Sequence, residues 1–248
     1  QAGFMDSEAK FRDEDERLRA IAAYYGLCTW LDHNVGRILG ALEAAGYGGD
    51  TTVVYPSDHG DNLGARGRWG KSNLYEESVA VPLMMAGPGI AAGTCDTPVS
   101  LLDLSVTIAG HFGAEIDAAD GLRSLYDIAA APPEPERPVF SEYHAVGSVS
   151  GAFMLRRGRW KYNYYVGFPP ELFDLEADPE ETVNLAEDPA HAEVLAGMDA
   201  ALRAVCDPDA ADAQAFADQA ALIERHGGRE AAIALGASGA TPPPMVGG

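Results

Sequence analysis

The sequence predicts an α/β fold, with a mostly parallel central sheet flanked by helices, then a small antiparallel subdomain and C-terminal helices. Three observations predict it. Apolar and small residues recur at helical spacing from about Asp13 to Ala45 (Leu18, Ile21, Ala22, Tyr25, Leu31, Val35, Ile38, Leu39 and Leu42), and a β-branched run, Thr51 to Tyr55, follows a Gly-Gly-Asp turn. A second apolar run, Val81 to Ala86, ends at Gly87-Pro88-Gly89. From Pro138 onward the texture changes to short strand-like runs separated by turn residues.

Gly46 stops the first helical pattern, which allows a bend near Gly26. Thr51 to Tyr55 is too apolar to face water on one side, so it reads as a buried strand of a parallel sheet, and Val81 to Ala86 reads as a second. Between them runs a polar, glycine-rich loop from Ser57 to about Lys71. It begins where the first strand ends, and open α/β sheets collect their function at the carboxyl ends of strands. Ser100 to Phe112 reads as a helix with Ser100 as N-cap and Asp103 placed to close a capping box. Ala129 to Pro138 holds four prolines and reads as a linker or turn. Val139 to Tyr143, Ala152 to Arg156 and Trp160 to Tyr165 read as strands, the last two joined at Arg157-Gly158-Arg159 as a hairpin. Two alanine-rich helices follow, Ala190 to Val205 and Ala210 to His226, the second opened by Asp-Pro-Asp. The expected division is residues 1–137 as α/β core, 138–235 as small antiparallel sheet plus helices, and 236–248 as an extended Gly, Ala and Pro rich tail.

Acidic residues outnumber basic ones 38 to 17, and the resulting charge of -21 repels polyanions, which argues against nucleic acid as a partner. An anionic substrate would need a strong local cation, a metal or a lysine, to overcome that field. Cys28, Cys95 and Cys206 are odd in number and widely spaced, so neither a disulfide framework nor a cysteine metal site is indicated; a reducing, cytoplasmic compartment fits best. No stretch approaches the roughly 18 to 20 apolar residues of a membrane span, so no membrane partner is expected. The chain starts at Gln1 rather than Met, so the lack of a leader here says little about the full gene product. Packing of the tail after Gly236 on a neighbouring subunit would make a homo-oligomer.

Asp58 and His59 directly follow the first strand, with Gly60 free to relieve crowding where the chain turns away. A carboxylate beside an imidazole can place both on one divalent cation, and the plainer alternative is a capping Asp with a surface His. The surroundings decide. Ser57-Asp58-His59-Gly60, Leu63-Gly64, Trp69-Gly70-Lys71, Tyr75-Glu76-Glu77-Ser78 and Val81-Pro82-Leu83 together resemble the sulfatase family, in order and spacing. Downstream, Ser141-Glu142-Tyr143-His144, Trp160-Lys161-Tyr162 and Glu171-Leu172-Phe173-Asp174-Leu175 through Asp178-Pro179-Glu180-Glu181 to Asn184-Leu185 resemble that family's C-terminal signature. The likeness runs from about Tyr24 to Ala204 and marks the chain as the C-terminal part of a sulfatase-type hydrolase of the alkaline phosphatase superfamily.

What the resemblance implies is specific. Asp58 and His59 correspond to two metal ligands, calcium being the family's usual ion; the imidazole, where many members carry asparagine, also admits Mn2+ or Zn2+. Lys71 corresponds to the lysine that contacts a sulfate oxygen and stabilises the leaving group. His144, in a polar loop after a strand, either reaches the substrate mouth or is an ordinary exposed histidine. Trp69 and Tyr75 either wall the substrate or serve packing. The acidic stretch around Asp178 reads as a loop facing a helix N-terminus rather than as a metal site.

The family's nucleophile is a formylglycine made from the Cys of C-x-P-x-R, and no such motif stands in the chain. The early strand with paired aspartates is also absent. The expectation is therefore an upstream half that carries nucleophile and remaining ligands, a partner without which this chain alone is inactive and one sheet edge is bare. The expected reaction is hydrolysis of a small anionic ester, a sulfate ester first. The alternatives are a phosphonate monoester or phosphodiester hydrolase, a two-zinc phosphatase or mutase, and a non-catalytic fragment.

Overall fold

The computed structural model describes residues 11–114, 121–145 and 148–234. The expected tail, 236–248, lies outside them. Helix α1 (Glu14–Ala44) is opened by Asp13, whose side chain accepts the N–H of Glu16, with Glu14, Asp15 and Glu16 in its first turn where the helix dipole favours acids. It is as long as its sequence pattern predicts and runs through Gly26 as one element. None of its residues is buried, although Tyr24, Leu27, Trp30, Leu31 and Ile38 are large and apolar.

Strands β1 (Val53–Pro56) and β2 (Leu83–Ala86) pair in the register Val53 to Ala86 and Pro56 to Leu83. The pairing is antiparallel, not parallel as the apolar runs predict. The segment between them carries a 3-10 turn (Ala65–Gly67) and one helical turn, α2 (Glu76–Val79), instead of a crossover helix, so the chain returns alongside its outgoing strand. Nor are these strands buried on both faces. Val54, Leu83 and Met85 pack on Leu104, Leu125 and Ile128 of α3 (Leu101–His111) and α4 (Leu125–Ala130), while Met84 on the other face is exposed. Among the described residues β1 and β2 pair only with each other, which leaves their outer edges open.

Helix α3 begins with the capping box read from Ser100 and Asp103. Asp103 is fully buried and fully engaged: its carboxylate accepts the N–H groups of Ser100 and Arg123 and a two-pronged contact from Arg137 at 2.7 and 3.0 Å.

The second sheet is antiparallel in the order β3 (Val139–Tyr143), β4 (Ala152–Arg157), β5 (Trp160–Tyr165), β6 (Glu171–Asp174). Its β4–β5 hairpin turns at Gly158, which adopts φ 56°. Successive residues of a strand point to opposite faces, and here both faces are covered. Phe153, Leu155, Tyr162 and Leu172 face Met198 and Leu202 of α5 (Ala192–Val205), whereas Ala152, Met154 and Tyr165 face Leu74 of the loop preceding α2. Burying side chains of this size stabilises by about 1.5 to 3 kcal/mol each, which makes this sheet the anchor of the structure. Helix α6 (Pro208–Arg225) starts within the Asp-Pro-Asp sequence, two residues before the expected Ala210, with Asp207 as its cap and Pro208 at its first position, and α7 (Arg229–Ala234) follows. No helix among the described residues is long and apolar enough to cross a membrane.

Candidate active site

Where β1 ends, short polar side chains shape the turn. Ser57 Oγ donates to the His59 carbonyl at 2.8 Å, and the His59 N–H donates to Asp58 Oδ1 at 3.0 Å. These bonds set the two side chains together, with Asp58 Oδ2 3.4 Å from His59 Nε2. His59 Nδ1 lies 2.9 Å from the Gly60 carbonyl oxygen. A carbonyl only accepts, so the neutral ring carries its proton on Nδ1 and offers a lone pair at Nε2. Lys71 Nζ donates to that nitrogen at 2.7 Å. The side chain of Asp58 is 85% exposed and that of His59 39%, so the group opens to solvent.

The structure thus brings Asp58, His59 and Lys71 together and leaves His144 out. His144 follows β3, with Nε2 3.4 Å from Glu142 Oε2 and its ring edge-on to Phe153 at 5.1 Å between centroids. It touches none of the other three in these contacts.

Close backbone packing holds the loop in place. The Gly60 N–H donates to the Ser78 carbonyl at 2.9 Å, and a Cβ at Gly60 would stand 2.0 Å from the Glu77 carbonyl oxygen, so no larger residue fits. Asn62, almost fully buried, donates through Nδ2 to the Gly70 carbonyl at 2.7 Å and to Ser78 Oγ at 3.1 Å. Asp61 Oδ1 accepts the N–H groups of Leu63 and Gly70. Arg66 reaches Glu77 and the Glu180 carbonyl, and lies 4.1 Å over the ring of Tyr75. Tyr75 is buried and donates to Glu171 Oε1 at 2.9 Å, and its burial, with the Glu171 carboxylate beside it, pushes the phenol well above its usual range. Of the two aromatic residues considered as substrate walls, Tyr75 is packing, and Trp69 sets its ring edge-on to Phe11 at 4.6 Å.

Glu76 and Lys161, to which the motifs assign no role, form a second cluster with Glu181 of the acidic stretch. Lys161 is fully buried, with Nζ 2.9 Å from Glu76 Oε1 and 2.7 Å from Glu181 Oε1. Burial pushes the Glu181 carboxyl above its usual value, partly offset by the Lys161 ammonium. The signal was their placement inside collinear motifs; the strand alternation hid it, because it casts Lys161 as solvent-facing. The acidic stretch does face a helix N-terminus, that of α2, through Glu181 on the Glu76 N–H at 2.6 Å. Asp178 instead closes its own turn by accepting the N–H groups of Thr182 and Val183.

As a metal site the arrangement is partial. A divalent cation takes at least four donors. Asp58 supplies one, His59 Nε2 supplies a second only when Lys71 Nζ releases its lone pair, and no group of three or more His, Cys, Asp or Glu among the described residues could hold an ion.

Comparison with known proteins gives a consistent picture. The sulfatase family model matches residues 1–114, and the model for the C-terminal region of N-sulphoglucosamine sulphohydrolase matches residues 64–207. A choline-sulfatase of Rhizobium meliloti (strain 1021) is 41% identical over 180 residues, covering 71% of this chain and 35% of the relative. The solved structure of a 2-O GAG sulfatase is similar with a TM-score of 0.68 at 30% identity, over 77% of this chain and 44% of its own. A phosphonate monoester hydrolase from Silicibacter pomeroyi also gives a TM-score of 0.68 at 30% identity, over 79% and 42%. The chain spans less than half the length of each of these three proteins.

Proposed function

The chain belongs to the sulfatase family, and from that premise we propose that the whole protein hydrolyses a small sulfate ester, water adding as the ester is cleaved to an alcohol and sulfate. The observation that carries this reading is the meeting of Lys71, His59 and Asp58 at the end of β1. In a chain of charge -21, Lys71 only balances the Asp58 carboxylate here, and a divalent cation beside them would give an anion its local positive potential. Lys71 stabilises charge developing on the ester oxygens as the bond breaks. Asp58 would hold one side of a divalent cation, calcium by family habit, and His59 would join it by exchanging the Lys71 contact at Nε2 for the ion, which frees the Lys71 ammonium for the ester. When bound, that ion supplies charge neutralisation at the ester oxygens. The other ligands and the nucleophile, a formylglycine in this reading, come from polypeptide beyond these residues.

The likeness to the phosphonate monoester hydrolase favours a second reading, in which the substrate is a phosphonate monoester or a phosphodiester held by the same groups. Rates of the whole protein on all three ester types decide. A sulfate ester turned over fastest supports the first reading, a phosphonate ester turned over fastest replaces it with the second, and no turnover with cation bound overturns both. In the first two cases Lys71→Ala lowers kcat by about 100- to 1000-fold.

A further inference from the structure

Lys161 and Glu181 bury opposite charges between the C-terminal sheet and the loop of the candidate site. Such clusters seldom add stability over apolar residues of equal volume, because desolvation consumes the attraction, so a specific arrangement is the better reason to keep one. The cluster acts on a single short element. Glu76, the first residue of α2, is gripped twice, by Lys161 on its carboxylate at 2.9 Å and by Glu181 on its N–H at 2.6 Å. Two residues further along α2, Ser78 holds the other side. Its carbonyl accepts the N–H of Gly60, the neighbour of His59, at 2.9 Å. Its Oγ accepts Asn62 Nδ2 at 3.1 Å, and the same amide group holds the carbonyl of Gly70, the neighbour of Lys71, at 2.7 Å. A displacement of α2 therefore reaches both residues that flank the contact between Lys71 and His59.

We infer that Lys161 and Glu181 are positioning residues, which by fixing α2 on the C-terminal sheet set the 2.7 Å approach of Lys71 to His59. Their purpose rests on the anionic-ester reading above; their geometric effect does not. The test is made on the full chain, isotope-labelled and without substrate, by the cross-relaxation between Lys71 side-chain protons and the His59 ring and by hydrogen exchange at the Gly60 amide.

Lys161→Met combined with Glu181→Gln removes the buried ammonium and one carboxylate together and leaves Glu76 to Arg156, 3.4 Å away. The expected result is loss of the Lys71 to His59 signal and exchange at Gly60 faster by about fivefold, the size of one lost hydrogen bond. Lys161→Arg, which keeps the cation, restores both. Ser78→Ala, a small change at the far end of the same relay, weakens the signal as well. A folded double variant with an unchanged signal overturns the proposal. Should that variant not fold, Ser78→Ala decides alone, an unchanged signal again overturning it. A whole protein that hydrolyses no anionic ester would sink the functional reading and leave this comparison standing.

Discussion

Gly60 and Lys161 show what a single residue discloses in sequence and what it withholds. Asp58, His59 and Lys71 were picked out by the likeness of their motifs to the sulfatase family, and the structure adds that they meet, through contacts across at most twelve residues. Gly60 was read as relief from crowding, and the structure supplies the crowding atom, the Glu77 carbonyl oxygen. Gly60→Ala accordingly destabilises by about 1 to 3 kcal/mol, as overpacking does, measured by urea denaturation. Lys161 was not legible in this way. Its partner Glu76 lies 85 residues away, and in a strand that alternates Trp, Lys, Tyr, Asn a lysine looks like the wet side. Only the packing of the loop onto that face makes it core. Asp103 is the opposite case, a cap read correctly whose second duty, holding Arg137, was invisible. Asp103→Ala leaves the Arg137 guanidinium without its carboxylate in a buried setting and costs about 3 to 5 kcal/mol in the same assay.

Elements whose signal lies in their own residues were legible to within a residue or two. The Ser100 cap, the Gly158 hairpin and the Asp207 start are chemical instructions to the nearby backbone. Pairing direction is not: the apolar runs at β1 and β2 are compatible with either sense, and the connection decided it. Strand β6 lay within a recognised motif and was not read as a strand, since four residues with an acid at each end carry little β signal of their own. Its last residue ties it to the neighbouring hairpin. The Arg159 hydrogen bond holds the Asp174 carboxyl below its usual range, so in acid the unfolded chain takes up this proton before the folded one does. The stabilisation is complete above the unfolded value of about 3.9 and is lost as pH falls through the lower folded value. Thermal midpoints measured from pH 5 down to pH 2 fall for the native chain, and Asp174→Asn, less stable at pH 5, shows a shallower fall.

At the scale of the molecule, motif order gave the family, since each motif is modest and their collinearity is not. The exposed apolar side chains of α1 and the lack of a full ligand set among the described residues were not legible, because each is a matter of long-range packing that no local pattern encodes. Charge is the other global property. With 38 acids against 17 bases, self-repulsion works against the compact state, and screening relieves it. The thermal midpoint therefore rises between about 10 and 150 mM sodium chloride, and a fall would show that the surface ion pairs outweigh the net charge. The clamp on α2 also has a consequence in time. Glu76 leaves the ribosome 105 residues before Glu181, a lag of about 5 to 20 seconds at ordinary rates of synthesis. For that interval the loop bearing Asp58, His59 and Lys71 exists without its brace. The site is finished only when the last strand of the second sheet and the turn after it have been made, so a pause in translation after α2 prolongs the loose state and a chain halted before Glu181 never leaves it.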